Sequence, residues 1–240
     1  MIRSFDFEER QPDSPLVERI WYAQNDSSTP FTSLAVSNWQ MVVTRMEGQT
    51  FLTVRGPETK ATPAFRPANA EHIGFFFKLG TQMPLFPIRD LVDSAVNLPN
   101  ASDNKFWLNG SAWEYPTFDN ADVFVERLIR EGLVISEPLV DAALQGEMNE
   151  LSLRSVQRRF VNATGLTHGA VRQIERARQA VILLKQGTPT LDAVYEMGYA
   201  DQPHLTRALK ALIGHTPAQV NRDSETEHVG FLFKPTIFPE

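Results

Sequence analysis

Slid along itself by 49 positions, the last third of the 240-residue chain falls back on its own pattern. Val156-Gln157-Arg158-Arg159-Phe160 lies over Leu205-Thr206-Arg207-Ala208-Leu209, Gly165 over Gly214, Thr167 over Thr216 and Val171 over Val220. Each copy opens on a side chain that caps helices well, Ser152 or Asp201. Each carries an Arg two residues after its first aligned apolar anchor and closes on a glycine suited to the left-handed residue beyond a helix end. Helical spacing then assigns faces. In the first copy Leu153, Val156 and Phe160 pack inward, leaving Arg154, Gln157, Arg158 and Val161 outward or sideways. In the second, Leu205, Leu209 and Leu212 pack inward, while Gln202, Thr206 and Lys210 form an outer row with Arg207 beside it.

Between the copies, Thr167 to Gly187 reads as one helix with Ile174, Ala177, Val181 and Leu184 as its buried stripe. About 20 residues at about 1.5 Å each make a rod of about 30 Å. Successive major grooves on one face of B-DNA lie about 34 Å apart, so such a rod could set two helices into neighbouring turns. A further helix from about Leu191 to Met197, capped by Thr190, ends at Gly198. Helix, tight turn at Gly198-Tyr199-Ala200, and helix again is the helix-turn-helix arrangement. Arg and Gln are the side chains that pair with guanine and adenine edges. A solvated helix face is their ordinary fate, but the same chemistry at the same point of two copies argues for DNA reading.

Net charge is −6, which at first speaks against a nucleic-acid partner. Its distribution does not: residues 1–137 hold 12 basic and 18 acidic side chains, 138–222 hold 10 and 7, and 223–240 hold 1 and 4. Phosphate neutralisation needs a local basic block, not a basic whole.

The first 80 residues read as short strands. Phe5 and Phe7 alternate with polar residues, and Leu16–Tyr22, Trp39–Met46, Thr50–Arg55 and Ile73–Phe77 are β-branched, aromatic or apolar, with Glu47-Gly48 as a turn. Residues 97–118 read as irregular. Asp119 or Asn120 caps a helical segment with Val123, Leu128 and Ile129 on its apolar face, and Pro138 suits a first helical position. The predicted organisation is α+β: a small β barrel or sandwich, cupin-like, over 1–118 for sensing or dimerisation; a connecting helical segment over 119–137; an all-α block over 138–222 with two helix-turn-helix units joined by a linker helix; and a tail over 223–240. A fragment of about 132–222 is expected to fold alone.

The block Ser152-Leu-Arg-Ser-Val-Gln-Arg-Arg-Phe160, the following Ala-Thr-Gly165-Leu-Thr, then Gly198-Tyr-Ala-Asp-Gln-Pro-His-Leu-Thr-Arg207 and Ile-Gly214-His-Thr-Pro217, resembles the AraC/XylS family of bacterial transcription regulators. The likeness covers about 138–222. It implies base-reading positions at Arg154, Gln157 and Arg158 in the first unit and Gln202, Pro203, Thr206 and Arg207 in the second, with Ser155, His204 and Lys210 nearer phosphates. It also implies a cytoplasmic regulator bound to double-stranded DNA, whose N-terminal half senses a small-molecule effector or makes a homodimer. The sequence departs from the family at Leu209, where Phe is usual, at Val194, where Ala is usual, and in the first helix of the first unit, which lacks a Gly near its turn.

Other chemistries find little footing. There is no cysteine, which removes disulfides, thiol catalysis and zinc–thiolate sites, including the alkyl-transfer chemistry that can accompany such DNA-binding blocks. His72 is the sole histidine of residues 1–137, so no metal is expected there and no cofactor is implied. No nucleophile motif or phosphate loop appears, so no enzyme is expected. No apolar run approaches a membrane span, and no secretory signal is read. Trp21, Trp39, Phe75, Phe77, Trp107 and Trp113 line a ligand pocket or simply fill a core. The reading from another class is a ligand-binding or enzymatic β domain whose helical block makes protein contacts. Finally, Glu227–Lys234 (Glu-His-Val-Gly-Phe-Leu-Phe-Lys) repeats Glu71–Lys78 (Glu-His-Ile-Gly-Phe-Phe-Phe-Lys) at six of eight positions, so the tail is expected to form a strand on the β domain of its own chain or of a second copy.

Overall fold

The computed structural model of the protein describes residues 5–146 and 152–222. Strands β1 (Phe5–Arg10), β2 (Val17–Asn25), β3 (Thr29–Ser33), β4 (Gln40–Met46), β5 (Gln49–Arg55), β6 (Thr62–Arg66), β7 (Ala70–Phe77) and β8 (Thr81–Gln82) precede a 3-10 turn at Ile88–Leu91. Then come β9 (Ala95–Asn97), β10 (Asn100–Ser102), β11 (Lys105–Leu108), β12 (Ser111–Glu114), α1 (Ala121–Arg130) and β13 (Ile135–Ser136). Helices α2 (Pro138–Leu144), α3 (Leu153–Thr164), α4 (His168–Lys185), α5 (Thr190–Glu196), α6 (Gln202–Leu212) and α7 (Pro217–Arg222) follow. A β-sheet region followed by an all-α region is therefore the architecture. Among the described residues no helix is long and apolar enough to cross a membrane.

The chain groups into two compact units. One holds the described residues of Met1–Thr29, Asn38–Pro57 and Phe65–Thr167; the other holds Pro30–Ser37, Glu58–Ala64 and the described residues of His168–Glu240.

In the first unit six strands make an antiparallel sheet in the order β1-β2-β7-β4-β5-β9. Alternation along β7 sends Ile73, Phe75 and Phe77 to the core cluster, where Met41, Val43, Leu52 and Val54 join them. On β7, Gly74 stands opposite Trp21, and a Cβ there would lie 2.0 Å from the indole, so only glycine lets this tryptophan lie flat on the sheet. Helix α1 covers the core with Phe124, Val125 and Leu128. Val123, expected inward, is 67% exposed, because the buried stripe of α1 runs one position later. Its entry is fixed by a reciprocal pair, Thr117 N–H to Asn120 Oδ1 (2.8 Å) and Asn120 N–H to Thr117 Oγ1 (3.3 Å), not by a cap onto the helix itself.

Two further expectations need correction. Residues 97–118 are not irregular: β10, β11 and β12 form a three-stranded sheet that places Phe106 and Trp113 in the core. And the large sheet is open, with β1 and β9 as unjoined edges among the described residues, so it makes no closed barrel.

The second unit is helical but not purely C-terminal. Its core takes Ala177, Ala180, Val181 and Leu184 from α4, Ala193 and Val194 from α5, Leu205 and Leu209 from α6, and Val220 from α7. Leu34, 3% exposed, belongs to the same cluster. Its neighbours bind the helices by backbone: Ala35 N–H donates to Leu212 O and Ala61 N–H to Ala211 O, each at 2.8 Å. The last carbonyls of a helix have no partner inside it, so these two donors close the end of α6. Val36 and Glu58 bridge the two segments at 2.9 Å in both directions. Ser37 Oγ donates to Glu175 Oε1 at 2.6 Å, and Glu175 pairs with Arg178 at 3.2 Å, all three residues being buried.

Candidate nucleic-acid interface

In the first helix-turn-helix unit, Pro138 opens α2 behind Glu137, whose carboxylate accepts from Leu139 N–H (3.3 Å) and from Arg159 (2.7 Å). That ion pair ties the flank of α3 to the start of α2. Ser152 caps α3 by accepting from Ser155 N–H at 3.3 Å, and its hydroxyl also meets Ser155 Oγ at 3.0 Å. Val156 and Phe160 are buried as expected. Leu153, expected beside them, is 57% exposed: it is the first helical residue, before the stripe has turned inward. Arg154, Gln157 and Arg158 are exposed, and at i, i+3 and i+4 they share one face.

In the second unit α5 follows Pro189, so the cap position falls one residue before the expected Thr190. The chain turns at Met197 and Gly198, and Asp201 caps α6 by accepting from His204 N–H at 2.6 Å. Leu205 and Leu209 are fully buried, and Leu212 is half-buried. Gln202, Pro203, Arg207 and Lys210 are exposed; His204 and Thr206 are partly so. Pro203 lies in the first turn, where no intrahelical donor is lost. Among the described residues, Arg154, Arg158, Arg207 and Lys210 form no ion pair. Arg154 and Arg158 belong to the first compact unit, Arg207 and Lys210 to the second.

The glycines that close the two helices do more than the sequence suggested. Gly165 (φ 76°) and Gly214 (φ 82°) both take the left-handed conformation. Both are also closely approached by segments from the N-terminal half. A Cβ on Gly165 would lie 2.8 Å from Val92 Cγ2, and one on Gly214 would lie 2.7 Å from Thr32 Cγ2. Arg89 donates to Asn162 at 3.1 Å beside the first of these seats. Sequence reasoning missed that residues 30–37, 58–64 and 88–92 pack on these helices and their closing turns. The shared glycines were the one available hint.

Four of the six aromatic residues weighed as a pocket lie in one core cluster. Trp39, Phe75, Phe77 and Trp113 fill the first core, with Trp39 stacked on Phe77 at 3.9 Å and donating from Nε1 to Thr81 O at 2.7 Å. Trp21 lies over Gly74, and Trp107 is 46% exposed. His72 meets Thr44 Oγ1 through Nδ1 at 3.1 Å; burial, and next the nearby Arg66 charge, lower its pKa. Among the described residues no cluster of three or more His, Asp or Glu is placed to hold a metal ion.

Residues 147–223 match a family described as "Helix-turn-helix domain". The chain carries a helix-turn-helix domain. No curated protein matches it. Over 92% of this chain and 98% of the other, the structure is similar to that of ToxT from Vibrio cholerae, at 10% identity and a TM-score of 0.36, a likeness too slight to argue from.

Proposed function

We propose that the protein is a sequence-specific DNA-binding transcription regulator of the AraC/XylS type. The observation that carries the reading is the repeat: two capped helices, each exposing an Arg at the same point, inside a region that matches a helix-turn-helix domain. In this reading Arg154, Gln157 and Arg158 of α3 and Gln202, Pro203, Thr206 and Arg207 of α6 meet base edges, where Arg and Gln make paired hydrogen bonds. Ser155, His204 and Lys210 meet phosphates. Ser155 does so from the helix start, where its hydroxyl also takes part in the cap. The β-sheet region senses a small molecule or makes a dimer. Selection of bound duplexes from a random pool by the full chain tests this. A recovered consensus whose binding falls steeply with salt supports it; retention without sequence preference sinks it.

A further inference from the structure

A groove of about 310 Å³ runs between α4 and α6 within the second unit, lined by Gln173, Arg176, Tyr199, His204, Arg207 and Ala208 among others, with no acidic residue in its lining. The Arg176 guanidinium lies over the Tyr199 ring at 4.2 Å, which holds a long, flexible cation in one place. The His204 ring stands perpendicular to that of Tyr199, with the ring centroids 5.2 Å apart. Ala200 N–H donates to His204 Nδ1 at 3.4 Å, so in the neutral ring Nε2 keeps the proton and is a donor. Gln173 adds an amide, and Ala208, Ala211 and Leu212 of α6 add apolar lining. Neither Arg176 nor Arg207 has an ion pair among the described residues. A concave site with one held cation, a second at its edge, further N–H donors and no carboxylate suits a tetrahedral or planar oxyanion.

We infer that this groove is an oxyanion site, and that Arg176 and Gln173 of the connecting helix hold a phosphate there beside His204. Arg207 forms its rim, next to the outer row of Gln202, Thr206 and Lys210. The source that fits the proposed function is the DNA backbone, and to that extent the inference rests on that reading; a free oxyanion is the other source of the same chemistry.

Two measurements on the full chain decide it. In the first, affinity for a selected duplex is followed against salt for wild type, Arg176→Met, Arg176→Lys and Gln173→Glu. Met keeps the aliphatic cover over Tyr199 without the charge, Lys keeps the charge, and Glu places a repelling carboxylate in an exposed position where folding is not at stake. One lost phosphate contact flattens the slope of log K against log salt by about 0.9, for specific and random sequence alike, in the Met variant and not in the Lys variant. Gln173→Glu weakens binding in the same sense. In the second, inorganic phosphate replaces chloride at fixed pH and ionic strength without DNA, and the His204 ring resonances are followed. A saturable shift that Arg176→Met removes is expected. A flattened slope assigns the phosphate to DNA. A phosphate response with an unchanged slope assigns the site to a free oxyanion. An unchanged slope together with a silent His204 overturns the site. Should wild type bind no DNA at all, the proposed function falls and the phosphate titration alone decides the groove.

Discussion

Leu34 stands 171 positions before Leu205 in sequence but shares its core, and replacing it should therefore destabilise the helical unit rather than the sheet. Leu34→Ala removes three carbons from a side chain that is 3% exposed. At about 0.8 kcal/mol per buried methylene the transfer loss is about 2–3 kcal/mol. The cavity left among rigid helices brings the total to about 3–4 kcal/mol, within the about 2–5 kcal/mol seen for buried Leu→Ala changes. Hydrogen exchange under native conditions gives both size and place: amides of α4 and α6 should lose protection by that amount, while those of β4, β5 and β7 hold theirs. Phe65→Ala, in β6 but 64% exposed, is the control and should stay within about 0.5 kcal/mol. A loss under about 1 kcal/mol for Leu34→Ala, or one spread evenly over both units, would refute the reasoning. The same logic bears on the fragment of residues 132–222. It lacks Leu34 and the Ala35 and Ala61 donors at the end of α6, so it should be helical yet melt at lower denaturant than those helices do in the full chain.

Other perturbations follow from particular contacts. Gly165→Ala and Gly214→Ala each combine a left-handed backbone with a Cβ closer than 3 Å to a neighbour, so each should cost more than about 1 kcal/mol in urea unfolding. Because the folded-state pKa of His72 is lowered, the folded chain favours its neutral ring, and that share of stability is present above the unfolded value of about 6.5 and is lost as pH falls below it. Melting temperature should thus drop more between pH 7.5 and 5.5 for wild type than for His72→Gln; equal drops would contradict the assignment. The tail, residues 223–240, lies outside the described residues, and its repeat of the β7 sequence remains a proposal. Deleting 224–240 should lower thermal stability or change the oligomeric mass, and no change in either, with a protease-sensitive tail in the intact chain, rejects it.

What the sequence disclosed was what is local. Helix caps and closing glycines are properties of a few adjacent residues, so Ser152, Asp201, Gly165 and Gly214 could be placed from spacing alone. Strands rich in β-branched and apolar residues, such as β4 and β5, were equally legible. Errors came at edges of that local logic: Leu153 and Val123 are apolar residues at a helix start, where one position decides between core and water. The short strands β10–β12 were hidden by Asn and Gly, which in them mark tight turns. The non-local facts could not be read at all. Nothing in Leu34, Ala35 or Ala61 announces a place against α6, because backbone donors carry no side-chain signature. Nor does the sequence say that Arg176 and His204 both meet Tyr199.

The central claim is that two helices in one chain read DNA at equivalent points. Footprinting of the full chain on a selected duplex, at base resolution, tests it with wild type, Arg158→Ala and Arg207→Ala. Two separate protected major-groove patches are expected. Each variant should lose about 1–3 kcal/mol of binding and relax sequence preference in one patch only, a different patch for each, with its fold intact. If both variants bind like wild type, or both erase the same patch, the two helices are not paired readers and the account is wrong.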